Sequence, residues 1–153
     1  MFPHDMGLDA LRLVALSLIA IVMSTGFAHL FALPNKIGLS RDAYLTVQQI
    51  YRGWAFLGVV FFAALAVTAW LAVLVRQRAA FYPTLVAALS IAASLVVFFV
   101  FTYPVNQQTQ NWTLLPEQWE PLRRQWEYSH AAGAALDFVA LISLAMSLLV
   151  DRR

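Results

Sequence analysis

Cysteine is absent from the 153 residues. That excludes disulfides, thiolate nucleophiles, cysteine-ligated zinc, iron-sulfur clusters and covalent c-type haem attachment. Charge is scarce as well: 12% of the residues are Asp, Glu, Lys or Arg, against about 25% in soluble domains. The net charge of +2 and the pI near 9.3 come from ten basic residues scattered along the chain. They form no basic stripe, so nucleic acid is excluded as a partner. Any metal or cofactor would have to rely on histidine, carboxylate or packing.

What the chain has is apolar length. Hydrophobic residues make up 61% and the mean hydropathy is +0.71. Stretches free of charge cover 23 residues between Arg12 and Lys36, 23 between Arg52 and Arg76, and 38 between Arg78 and Glu117. A fourth stretch after Glu127 reaches Asp151 and is broken only by Asp137. A helix of about 22 residues rises about 33 Å and crosses the hydrocarbon core. The sequence predicts one all-α domain over residues 1–153, an integral membrane four-helix up-down-up-down bundle in the lipid bilayer, with spans 13–34, 54–75, 81–103 and 129–150.

Punctuation between the runs predicts two extra interfacial helices. The first run lacks a basic leader and a small-residue cleavage site, so it reads as a retained span. Pro34, Asn35 and Gly38 are expected to end it, and Ser40 with Asp42 starts a new helix. That helix is expected to run without a breaker into span 2, with Leu45, Ile50 and Tyr51 facing the membrane surface. Pro104-Val105-Asn106 is expected to end span 3. Trp112, Trp119 and Trp126 follow at seven-residue spacing among Pro116, Glu117, Glu120, Arg123 and Arg124, which reads as an interfacial helix feeding span 4. Four spans put both termini on one side. Lys and Arg divide five to five between the faces, but those on the terminal side sit in shorter segments at span ends. The positive-inside rule therefore predicts cytoplasmic termini in a bacterial inner membrane.

The chemistry concentrates at the opposite face. His29 near the end of span 1 and His130 near the start of span 4 fall at one depth. At about 100° per residue, Glu127, His130 and Asp137 lie at roughly 0°, 300° and 280°, one stripe of the fourth helix. Asn106 reaches the same face. Asp137, well inside a span, calls for burial in the bundle, with Ser24, Thr25 or Ser90 as candidate partners. The tryptophans fit an aromatic belt as well as a binding platform, and Arg123 and Arg124 fit headgroups or the carboxylates of Glu120 and Glu127. Glu127-x-x-His130 has the spacing used by carboxylate di-metal bundles, yet occurs once where two copies are needed, so no metal is expected. No cofactor is expected; haem b held by His29 and His130 is the geometric alternative.

Pro104-Val105-Asn106, Trp112, Pro116, Trp119, Arg123, Trp126-Glu127 and His130, preceded by Gly26-Phe27-Ala28-His29 and Tyr51-Arg52, resemble the domain-of-unknown-function family of small four-helix membrane proteins that includes the anthrone oxygenases. Where members often carry Arg three residues beyond that histidine, this chain has Gly133. The resemblance implies oxidation of an anthrone-like polyketide by O2 without flavin or metal. It implies His130 as the base, oriented by Glu127, with His29 or Asn106 bonding the developing oxyanion. Asn106, Trp112, Trp119, Arg123 and Trp126 would hold the aromatic substrate. The alternative reading is a non-catalytic membrane protein that binds a lipid, a quinone, haem or a partner protein.

Overall fold

The computed structural model describes residues 3–151, with side chains from residue 6 onward. Helix α1 spans Pro3–Lys36, α2 Arg41–Gln48, α3 Gly58–Leu74, α4 Phe81–Val97, α5 Tyr103–Gln108 and α6 Trp119–Val150. Short 3-10 turns at Gln49–Tyr51 and Trp54–Leu57 join α2 to α3, and a π-helical turn at Phe98–Thr102 joins α4 to α5. Four continuous helical segments are long and apolar enough to cross a membrane: Met6–Lys36, Trp54–Leu74, Phe81–Gln108 and Trp119–Val150. α1 packs on α3 and α6, and α4 packs on the same two, so the spans close into a four-sided bundle. Its outer surface carries Leu13, Phe31, Val59, Trp70, Leu89 and Leu149, all exposed, the pattern of a lipid-facing wall.

Three helix boundaries differ from the sequence expectation. Pro34 does not end α1, because a proline in the last turn removes only one hydrogen bond; Ile37 N still donates to Leu33 O. α2 does not run into the second span. Gly53 adopts φ +86°, a left-handed conformation that glycine takes without steric cost, and it turns the chain between the two. Pro104 sits in the first turn of α5 and does not stop the third helical segment. The tryptophan segment is helical from Trp119 and feeds the last span without a break, since Pro121 falls in the first turn.

The interior divides by depth. Towards the termini it is solid and apolar, with Ala15, Ile19, Val22, Leu71, Ile91 and Leu144 at 0–1% exposure. There, at the membrane edge, Asp151 ties Arg12 to Arg78. At the other end Tyr44, Val105, Trp112, Leu115, Trp119 and Trp126 form a second, aromatic cluster. α2 is clamped into it: Arg41 donates to Leu115 O at 2.6 Å and Gln49 to Trp112 O at 3.2 Å. Between the two clusters lies the cavity.

Candidate functional site

α1 and α6 approach closely because both carry small residues where they touch. A Cβ at Gly26 would lie 3.1 Å from the Ala134 Cα. One turn towards the loop face, this close contact brings His29 and His130 together, their ring centroids 4.0 Å apart. Trp126, one turn before His130, crosses the His29 ring edge-on at 4.9 Å. Its indole N–H donates to Asn106 Oδ1 at 2.8 Å, which fixes the ring and commits the Asn106 carbonyl oxygen.

The His130 ring is oriented by backbone. Nδ1 lies 2.9 Å from the Trp126 carbonyl oxygen, which can only accept, so a neutral His130 carries its hydrogen on Nδ1 and leaves Nε2 as the basic nitrogen. The expectation that Glu127 orients His130 is corrected here. Glu127 turns the other way: its Oε1 accepts from Tyr44 Oη at 2.8 Å and pairs with Lys36 Nζ at 3.0 Å. Lys36 also donates to Tyr51 Oη at 3.1 Å and lies over the Tyr51 and Trp126 rings. Tyr51 does not face the membrane surface; its ring stacks on His29 at 4.2 Å. Burial, reinforced by the Glu127 carboxylate, pushes its phenol up to about 12 and raises Tyr44 as well, so both remain protonated donors.

These rings enclose one side of a cavity of about 640 Å³ that reaches from the loops at Gln49–Gly53 and Gln110–Thr113 down to Asp137. That volume suits a drug-sized ligand. Its walls are mostly aromatic and aliphatic, with Trp54, Phe61, Phe98 and Trp126 facing His29 and His130. The backbone at its mouth is strained: Gln110, Asn111 and Trp112 all have positive φ, at 48°, 55° and 62°.

Of the residues singled out from sequence, His29, Asn106, Trp112, Trp126, His130 and Asp137 line this cavity. Glu127 stands behind it in the ion pair. Trp119 and Arg123 do not line it. The Arg123 guanidinium lies 4.5 Å from the Trp119 ring centre and 5.5 Å from that of Tyr44, and it donates to Leu39 O. It is 7% exposed and does not meet headgroups or Glu127. Asp137 finds Ser94 as its polar neighbour. Ser24 and Thr25 instead donate to Ile21 O and Val22 O of their own helix. With the histidine ring centroids only 4.0 Å apart, a haem between them would require α1 and α6 to separate.

Lys36, Tyr44, Gln48, Tyr51 and Trp54 were not assigned to the site from sequence. Lys36 carried a signal. It lies seven residues beyond His29, within about 20° on the same helix face, and would have been placed beside it had α1 been continued through Pro34. Tyr44 and Gln48 share one face of α2 at i, i+4, and Gln48 Nε2 donates to Tyr44 Oη at 2.5 Å. Among the described residues, no group of three or more His, Asp or Glu is arranged to hold a metal ion. Comparison with family models, curated proteins and solved structures finds no match to this chain.

Proposed function

We propose that this membrane protein is a cofactor-independent oxygenase of the anthrone-oxygenase kind, acting on a flat, weakly acidic aromatic substrate that enters from the bilayer. The observation that carries the reading is the His130 ring, held through Nδ1 by the Trp126 carbonyl with Nε2 left basic beside the cavity. Nε2 removes a proton from the ring methylene that lies across the central ring from the carbonyl and is conjugated with it through the flanking aromatic rings, and the stabilised carbanion gives an electron to O2. Recombination forms a hydroperoxide, and loss of water leaves a new carbonyl, so one O2 becomes one carbonyl oxygen and one water. His29 and the protonated ring of His130 flank the developing oxyanion. Trp54 and Trp126 offer faces for stacking.

The host membrane in this reading is a bacterial inner membrane with the termini cytoplasmic. The short hairpin carrying Arg76 and Arg78 then obeys the positive-inside rule. The test is O2 uptake and quinone formation from anthrone by protein in lipid nanodiscs. His130→Ala should lower the rate by about 10²-fold or more while near-native circular dichroism is kept. A wild-type-like rate in that variant sinks the assignment of the base, and a wild type that consumes no O2 sinks the oxygenase.

The second reading is ligand binding without turnover, by a quinone or another lipid-soluble aromatic. It is favoured by the aromatic walls and by the buried polar atoms that the cavity leaves unpaired.

A further inference from the structure

Asp137 lies seven residues beyond His130 on α6, about 10 Å deeper along the helix axis, and lines the inner end of the same cavity. It is 1% exposed, and its Oδ1 has no hydrogen-bond partner among the described residues. A carboxyl at this depth of a bilayer is costly unless something bonds to it. Ser24 and Thr25 are committed to their own helix, and Ser94 is the polar side chain that stands beside the carboxyl among the described residues.

The unpaired atom is not isolated. His29 Nδ1, Gln48 Oε1 and Trp112 Nε1 are also buried and without partners, and all three belong to the cavity wall. Buried polar groups are nearly always bonded. Of the seven unpartnered buried side-chain atoms among the described residues, these four sit on residues of the one cavity, where an occupant would complete them, and Thr68 Oγ1, Arg123 Nε and Glu127 Oε2 lie elsewhere. Gly133, one turn above Asp137, lets α4 come close to α6 at this depth and holds Ser94 near the carboxyl: a Cβ there would come within 3.3 Å of Ser94 Oγ.

We propose that Asp137, with Ser94 beside it, is the deep anchor of the cavity. It accepts a hydrogen bond from a hydroxyl or amine at the leading end of an elongated aromatic ligand whose body lies against the His29–His130 pair. A carboxyl accepts in either protonation state, so the anchor does not depend on its charge. The inference rests on the reading of this cavity as a ligand site and is independent of the oxygen chemistry.

The experiment measures quenching of tryptophan fluorescence in nanodiscs under argon, with biphenyl, 4-phenylphenol and biphenyl-4-amine as probes. Each titration is referred to protein-free nanodiscs. Wild type should prefer the phenol or the amine over biphenyl about tenfold more than Asp137→Leu does, the worth of one hydrogen bond to a buried acceptor. Which of the two gains identifies the donor. Asp137→Ser, too short to reach the ligand, gives the same loss and carries the test if the leucine variant does not fold. An unchanged preference in both variants, or none in wild type, overturns the proposal and leaves the deep end a water-filled pocket. Anthrone turnover is assayed on the same samples. Turnover without donor preference defeats the anchor alone, and preference without turnover defeats the oxygenase alone.

Discussion

Lys36 Nζ and Glu127 Oε1 meet at 3.0 Å with their side chains 3% and 0% exposed. This ion pair joins the last turn of α1 to the third turn of α6. Tyr44 and Tyr51 reach it from the intervening connection, so the segment that covers the cavity is fastened to the bundle through it.

Breaking the pair from one side should cost more than removing it. Lys36→Met or Glu127→Leu alone leaves a buried, uncompensated charge and should lose about 3–5 kcal/mol. The double variant should lose less than either single change. Unfolding of the four proteins by a denaturing detergent, analysed as a double-mutant cycle, gives the coupling directly; additive losses would show that the two charges act independently.

Alkaline pH should loosen the same segment. The free tyrosine phenol titrates near about 10, whereas in the fold Tyr51 is pushed up to about 12 and Tyr44 is raised. A group whose proton is held more tightly in the folded state contributes fully below its unfolded value and loses that contribution as pH rises towards the folded one. Stability should therefore be flat up to about pH 10 and decline from there to about pH 12. Thermal midpoints recorded across pH 8–12, an interval chosen about the free phenol value, test this. Tyr44→Phe and Tyr51→Phe should each flatten the decline.

Widening the α1–α6 contact should damage the site without unfolding the bundle. Gly26→Leu must push against the Ala134 Cα and Cβ, which a Cβ alone would approach to 3.1 and 3.2 Å. The histidine rings one turn away then lose their stacking. Under the proposed oxygenase function, anthrone turnover should fall by about 10²-fold, the usual consequence of a displacement near 1 Å, with helix content retained by circular dichroism. An active Gly26→Leu protein would show that the ring stack is dispensable.

Relief of backbone strain should stabilise. Gln110 is exposed and has φ 48°, so Gln110→Gly removes a steric penalty without removing a buried contact. A gain of about 1 kcal/mol is expected, read as a higher midpoint in the same denaturing titration. A loss would mean that the Gln110 side chain itself holds the cavity mouth.

Much of the fold was legible because a bilayer imposes a simple rule on sequence. The charge-free intervals locate the four crossing helices, and the distribution of histidines puts His29 and His130 at one depth. The errors share a cause. Residue type alone marks Pro34 as a breaker and gives no sign of a break before span 2, where Gly53 turns the chain; type does not say whether a glycine adopts positive φ or whether a proline falls in a last turn. Reading α1 as ended at Pro34 left Lys36 in a loop, so the partner of Glu127 was missed and His130 was given one it does not have. The three tryptophans, equally spaced in sequence, separate in space: Trp126 and Trp112 face the cavity, and Trp119 supports Arg123.

By itself the sequence determined the membrane class, the helix count and the face that carries the polar residues, because each follows from the local cost of placing charge or bare backbone in hydrocarbon. Tertiary structure decided which polar groups meet across helices: Lys36 with Glu127, His29 with His130, and Asp137 with the cavity floor. Those pairings depend on the rotation of each helix about its axis and on the approach permitted at Gly26 and Ala134. Both are set by packing between helices that are not neighbours in the chain as well as between those that are.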